Sequence, residues 1–155
     1  MPFQTLHESL KDSPCKVVYV CRNVKDVLVS RWHFRSKIVR KDLYSNYSLE
    51  DTVDEYIKGA YLFGPFKNQV LGYWEESLVN SNPVLFMRYE EMIEKPEAQV
   101  MRLADFLDCP FTEEEKQSRT VEKILELCSL SNLSNLEANK IGTSTCGIAH
   151  QTFFC

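Results

Sequence analysis

A chain of 155 residues with 44% apolar side chains has the length and composition of one globular domain with a core of its own. Its formal net charge of -4 excludes a nucleic-acid binder working through a general basic field, although one phosphate-bearing ligand needs only a local arginine and some hydroxyls. The apolar run 17–21 is far too short to cross a bilayer, and residues 1–15 lack the basic and apolar regions of a signal peptide.

Read in chain order, Lys16-Val-Val-Tyr-Val-Cys21 follows Asp12-Ser-Pro14 and predicts a buried parallel strand that stops at Arg22-Asn23. Val24, Val27, Leu28 and Trp32 then recur at helical spacing. Ser48-Leu-Glu-Asp51 forms a capping box with Asp in the Glu place, and Gly59 sits where that helix should end. Gly64-Pro65 breaks the chain, after which Phe66, Val70, Tyr73, Trp74 and Leu78 mark the apolar face of another helix. Val84–Met87 predicts a second strand ending at Arg88-Tyr89. Pro96 opens a helix with a Val100, Leu103, Ala104, Leu107 stripe, and Thr112 with Glu115 forms a second capping box. That last helix is expected to continue, with a break, toward Val121, Ile124, Leu125 and Cys128. After Ser129 the pattern fades into Asn, Ser, Gly and Thr. Alternation of this kind means an α/β fold with a mainly parallel sheet.

The cysteines (Cys15, Cys21, Cys109, Cys128, Cys146 and Cys155) contain no Cys-x-x-Cys pair, and His7, His33 and His150 add no zinc-ligand spacing. No metal is expected, and the cysteines are read as reduced thiols of a cytoplasmic protein. Ligands of open α/β sheets bind beyond the carboxyl ends of the strands. Here those ends carry Arg22, with Lys25 and Ser30 close behind, and Tyr89. An arginine fork and a hydroxyl suit phosphate oxygens, and a phenol can stack on or hydrogen-bond a base. Taken singly, an arginine after a strand is more often a solvated surface residue, and a lone tyrosine more often half-buried core.

The whole string carries more. Val17-Val-Tyr-Val-Cys-Arg-Asn-Val-Lys-Asp-Val-Leu-Val-Ser30, followed by Arg31-Trp-His-Phe34, closely resembles the signature block of cytosolic sulfotransferases. Gly64-Pro-Phe66, Val70-Leu-Gly-Tyr-Trp74, Val84 to Met92, Arg102 to Leu107, Val121 to Ser129 and Asn132 to Lys140 follow in the family's order, the last two pointing to the plant, flavonol-sulfotransferase-like branch. The resemblance implies transfer of a sulfonate group from 3′-phosphoadenosine-5′-phosphosulfate to a hydroxyl of a small phenolic, flavonoid or steroid acceptor, with no metal, nucleic acid or membrane involved. By the same resemblance Arg22 and Ser30 match the pair that grips the 3′-phosphate, and Tyr89 matches the tyrosine that contacts adenine.

The departures shape the rest of the expectation. A P-loop-type, three-layer fold is implied, but residues 1–155 match only the central part of the domain, without the phosphate-loop strand. The family's catalytic His would precede Met1, so no catalytic residue is assigned. Phe153-Phe-Cys155 stands where the family continues into Arg-Lys-Gly, Asn68-Gln69 replaces the usual Asp-His, and Leu130 replaces a phenylalanine. None of the three histidines is read as a substitute base, and the Phe63, Phe66, Tyr73 and Trp74 cluster is read as core rather than acceptor pocket. These 155 residues alone are therefore expected to give no useful turnover. The alternative function is a non-catalytic remnant that at most binds adenosine 3′,5′-bisphosphate or a partner chain. A lid-containing nucleotide kinase, the third class, needs a phosphate loop of its own and does not explain the Val17–Phe34 block. Neither acceptor identity nor oligomeric state is legible.

Overall fold

A computed structural model of the chain describes residues 3, 14–38, 47–60, 65–79, 84–145 and 147–154. The chain divides into two compact units, Met1–Val29 with Ser48–Lys95, and Ser30–Tyr47 with Pro96–Cys155.

The first unit is built on β1 (Val17–Cys21) and β2 (Val84–Arg88), which pair in parallel with Val17 opposite Val84 and Cys21 opposite Arg88. Side chains alternate across a strand, so Val17, Tyr19 and Cys21 share one face with Val84 and Phe86. That face packs on Tyr73 and Val70 of α3 (Phe66–Ser77), with Phe3 at its margin. Tyr73 stacks on Tyr19 at 4.1 Å between ring centroids and meets Phe3 edge-on at 5.5 Å. Trp74 presents its edge to Phe86 at 5.5 Å. Burial, with Cys21 and Tyr73 alongside, pushes the Tyr19 phenol up to about 12.

Four of the seven buried hydrophobic residues among those described, Val84, Leu85, Phe86 and Met87, lie in β2, which makes that strand the centre of the unit. The expectation of a buried first strand holds for only one face of β1, whereas β2 is buried on both. Val18 and Val20 are 39% and 49% exposed, because the aromatic cluster covers only the opposite, Tyr19 face. In α2 (Leu49–Ile57) the Ser48 side chain accepts from the Asp51 N–H, while the Ser48 N–H donates to the Asp51 carboxylate at 2.7 Å. The helix ends at Lys58, and Gly59 takes up φ +67°, a conformation that costs a residue with a Cβ roughly 1–2 kcal/mol. The strand predicted over Val84–Met87, with its end at Arg88-Tyr89, runs to Arg88. Tyr89 instead opens a short helix, α4 (Tyr89–Glu94), whose first turn holds Glu90 and Glu91.

α1 (Val24–Ile38) begins in the first unit and supplies its remainder to the second. There the Trp32 indole N–H donates to the Tyr47 carbonyl at 3.2 Å, and Arg35 lies over the Tyr47 ring. α5 (Pro96–Phe106) packs against α7 (Thr120–Leu127), on which Val121 is buried. Between them α6 (Glu113–Gln117) starts at the expected box, with the Thr112 N–H on the Glu115 carboxylate at 2.8 Å. The expected break before Val121 is Arg119 at φ +58°.

Beyond Ser129, where no pattern is legible, the chain is still helical: α8 (Leu130–Asn135), α9 (Glu137–Ile141) and a 3₁₀ turn (His150–Phe154). Helices of five or six residues are too short to show a period. The asparagines that read as loop formers hold carbonyls instead, Asn132 on Glu126 at 2.6 Å and Asn139 on Leu133 at 2.7 Å. A Thr143–Ala149 bridge returns the chain to α9, where the His150 N–H donates to the Gly142 carbonyl at 2.8 Å.

Candidate functional site

The two strand ends of the first unit converge. β1 delivers Arg22 and Asn23, and β2 delivers Arg88 and then Tyr89 and Glu90 on α4. The Arg22 guanidinium carbon lies 4.5 Å from the centroid of the Tyr89 ring, a cation–π arrangement worth roughly 0.5–1 kcal/mol where water is near. The Arg22 side chain is 40% exposed, but its Nε is buried and has no hydrogen-bond partner among the described residues. The Asp26 carboxylate stands 3.8 Å from that Nε, close enough for an ion pair and too far for a hydrogen bond. A half-exposed guanidinium backed by an aromatic ring suits a phosphoryl oxygen with a base or sugar beside it.

Asn23 ties this corner together. Its carbonyl accepts the Val27 N–H at 3.0 Å and its side chain accepts the Lys25 N–H at 2.9 Å, so it caps α1. Its own N–H donates to the Glu90 carboxylate at 2.7 Å. That bond, and then the backbone N–H of Glu90 itself, holds the Glu90 carboxyl below its ordinary range, with Arg88 and Arg22 adding to the effect. The Cys21 thiol beside them is pushed up, chiefly by burial and then by Glu90.

Of the three residues expected to bind cofactor, Arg22 and Tyr89 are therefore neighbours. Ser30 is an exposed residue of α1 within the second unit. His33 is exposed with its ring 4.6 Å from that of Trp32, and the His150 Nδ1 lies 2.9 Å from the Ala138 carbonyl oxygen. His7 and Phe63 lie outside the described residues. Tyr73 is core as expected, whereas Trp74 is 46% exposed. Gln69, in the place of the family's histidine, is buried on α3, and Leu130 is exposed. Sequence reasoning missed Asn23 and Glu90. The available signal was an acid immediately after the strand-end Arg88-Tyr89, but nothing local says where its carboxylate reaches.

A sulfotransferase-domain family model matches residues 1–154. Cytosolic sulfotransferase 8 of Arabidopsis thaliana is 53% identical over 154 residues, covering 99% of this chain and 46% of the relative. Cytosolic sulfotransferase 1 of the same plant is 51% identical over 154 residues, with the same coverage of each. The chain thus spans about half the length of the relatives it matches. The relatives' names agree with the expected cytoplasmic placement, and no described helix is long and apolar enough to cross a membrane. A crystal structure of a mouse sulfotransferase complexed with PAP superposes with a TM-score of 0.77 at 23% identity, covering 100% of this chain and 53% of that one, which assigns the P-loop-like α/β fold. With the domain match running along nearly all of its residues, and half of them shared with the Arabidopsis enzymes, this chain belongs to the sulfotransferase family, in its plant cytosolic branch.

Proposed function

We propose that residues 1–155 are the central part of a sulfotransferase domain, and that Arg22, Ser30 and Tyr89 form the nucleotide end of its donor site. The whole protein would transfer a sulfonate group from 3′-phosphoadenosine-5′-phosphosulfate to a hydroxyl of a small acceptor. When bound, that donor supplies the activated sulfonyl group. The residues of this chain bind and orient it: Arg22 takes the 3′-phosphate on its half-exposed guanidinium and the Tyr89 ring contacts adenine, while the family resemblance assigns the Ser30 hydroxyl to the same phosphate. The observation that carries this reading is the Arg22 guanidinium held against the Tyr89 ring where the carboxyl ends of both strands converge. Family membership and the match to a PAP-complexed fold support it.

Titration calorimetry with adenosine 3′,5′-bisphosphate tests it. Hydrogen bonds to charged groups contribute roughly 1.5–3 kcal/mol, so Arg22→Ala should weaken binding about ten- to hundredfold. Lys25→Ala, three residues along, should change it little. Equal losses from both substitutions would reduce the reading to a diffuse charge effect.

A further inference from the structure

Glu90 and Glu91 are adjacent, exposed or half-exposed acids of one short helix, yet they do different things. Glu91 makes a local ion pair with Arg88 at 3.5 Å. Glu90 reaches across to a backbone N–H that is 67 residues away in sequence, at 2.7 Å. The strand ladder ends at Cys21 opposite Arg88, so the Asn23 N–H has no place in it, and the Glu90 carboxylate supplies the acceptor. The two residues so joined each follow one member of the Arg22–Tyr89 pair. Backbone is thus tied to carboxylate one step beyond the point where guanidinium meets ring.

We propose that Glu90 is a positioning residue for adenosine 3′-phosphate binding: by holding the Asn23 N–H it fixes the Arg22 guanidinium on the Tyr89 ring in the pose that meets the 3′-phosphate. This rests on the ligand reading above. Two contributions of Glu90 have opposite signs, which makes the proposal decidable. Its charge lies near Arg22 and Arg88 and opposes an incoming phosphate. Its reach to Asn23 assists that phosphate by holding Arg22 in place.

Two conservative variants separate reach from charge. Glu90→Gln keeps an acceptor oxygen at the same distance and loses the charge. Glu90→Asp keeps the charge and falls one methylene short. The full chain is titrated with adenosine 3′,5′-bisphosphate and with adenosine 5′-monophosphate, and the ratio of affinities reports recognition of the 3′-phosphate. Amide hydrogen exchange at Asn23 reports the tie directly. Wild type should prefer the bisphosphate, Glu90→Gln should keep that preference within about twofold, and Glu90→Asp should narrow it on the order of tenfold. Asn23 protection should survive in the Gln variant and fall in the Asp variant. Glu91→Ala should leave both readouts unchanged. A general loss of structure would weaken both nucleotides alike and leave the ratio standing, so a narrowed ratio identifies positioning. The proposal is overturned if Glu90→Asp matches wild type while Glu90→Gln binds the bisphosphate more tightly, the pattern of charge alone. A wild-type chain indifferent to the 3′-phosphate would instead overturn the ligand reading, and this role with it.

Discussion

Replacing Tyr73 tests whether the aromatic cluster on β2 carries the first unit. Tyr73 is 6% exposed, stacks on Tyr19 at 4.1 Å, and packs with Val84 and Phe86. Removing a buried aromatic ring costs about 3–5 kcal/mol when the surroundings cannot collapse, and a well-placed aromatic pair adds roughly 0.5–1.5 kcal/mol beyond its area. Ordinary domains hold only about 5–15 kcal/mol in all, and a short sheet stands at the lower end. Tyr73→Ala should therefore remove most of the unit's stability. Tyr73→Phe, which keeps the ring and loses only the hydroxyl, should cost about 1 kcal/mol or less. On the same helix Leu71 is 41% exposed, and Leu71→Ala should cost well under 1 kcal/mol, on the order of an ordinary surface change. Urea unfolding followed by fluorescence is suited to this, since Trp74 stands edge-on to Phe86 in the same cluster. Trp32→Phe removes the other tryptophan's emission. A Tyr73→Ala midpoint and slope equal to those of Leu71→Ala would refute the assignment of the cluster as the unit's core.

The two capping boxes should each be worth about 1 kcal/mol, so Ser48→Ala and Thr112→Ala should lower the thermal midpoint by similar small steps. Asp51 and Glu115 are held below their ordinary values of 3.8 and 4.5, first by the backbone N–H and then by the hydroxyl of their cap residues. The unfolded chain therefore takes up protons first on acidification. The contribution is present in full above the unfolded values and is lost as pH falls through the lower folded ones, which melts at about pH 6 and about pH 3 should show. Gly59→Ala should cost roughly 1–2 kcal/mol from its left-handed backbone alone, because the added Cβ would meet Pro65 only at an ordinary 3.5 Å. Gly142→Ala should be worse locally. Its Cβ would collide with the Ala138 carbonyl and the His150 ring, and the His150 amide should lose its exchange protection.

The elements that local chemistry can specify were legible. Capping at Ser48 and Thr112 is settled within four residues, and Gly59 and Pro96 act through their own backbones, so each stands where the sequence puts it. The helices after Ser129 were not legible, since they are too short to show a period and are held by asparagine side chains. Tyr89 was placed at a strand end and instead begins a helix, one residue past the ladder, a distinction no propensity resolves.

From its sequence alone this protein is an α/β chain of the sulfotransferase kind, with Arg22 and Tyr89 each just past a strand. Tertiary structure alone decided the register that sets Tyr19 opposite Phe86, and that β2 is buried while β1 leaves Val18 and Val20 exposed. Two short apolar runs each read locally as a strand, and burial depends on which face another element covers. The same pairing brings Arg22 onto Tyr89 and the Asn23 N–H onto Glu90, contacts between residues 67 apart that no spacing rule can join. Caps and breaks arise from hydrogen bonds a few residues long, so the sequence states them. The candidate site arises from register, which is set only when the apolar faces of both strands find one core.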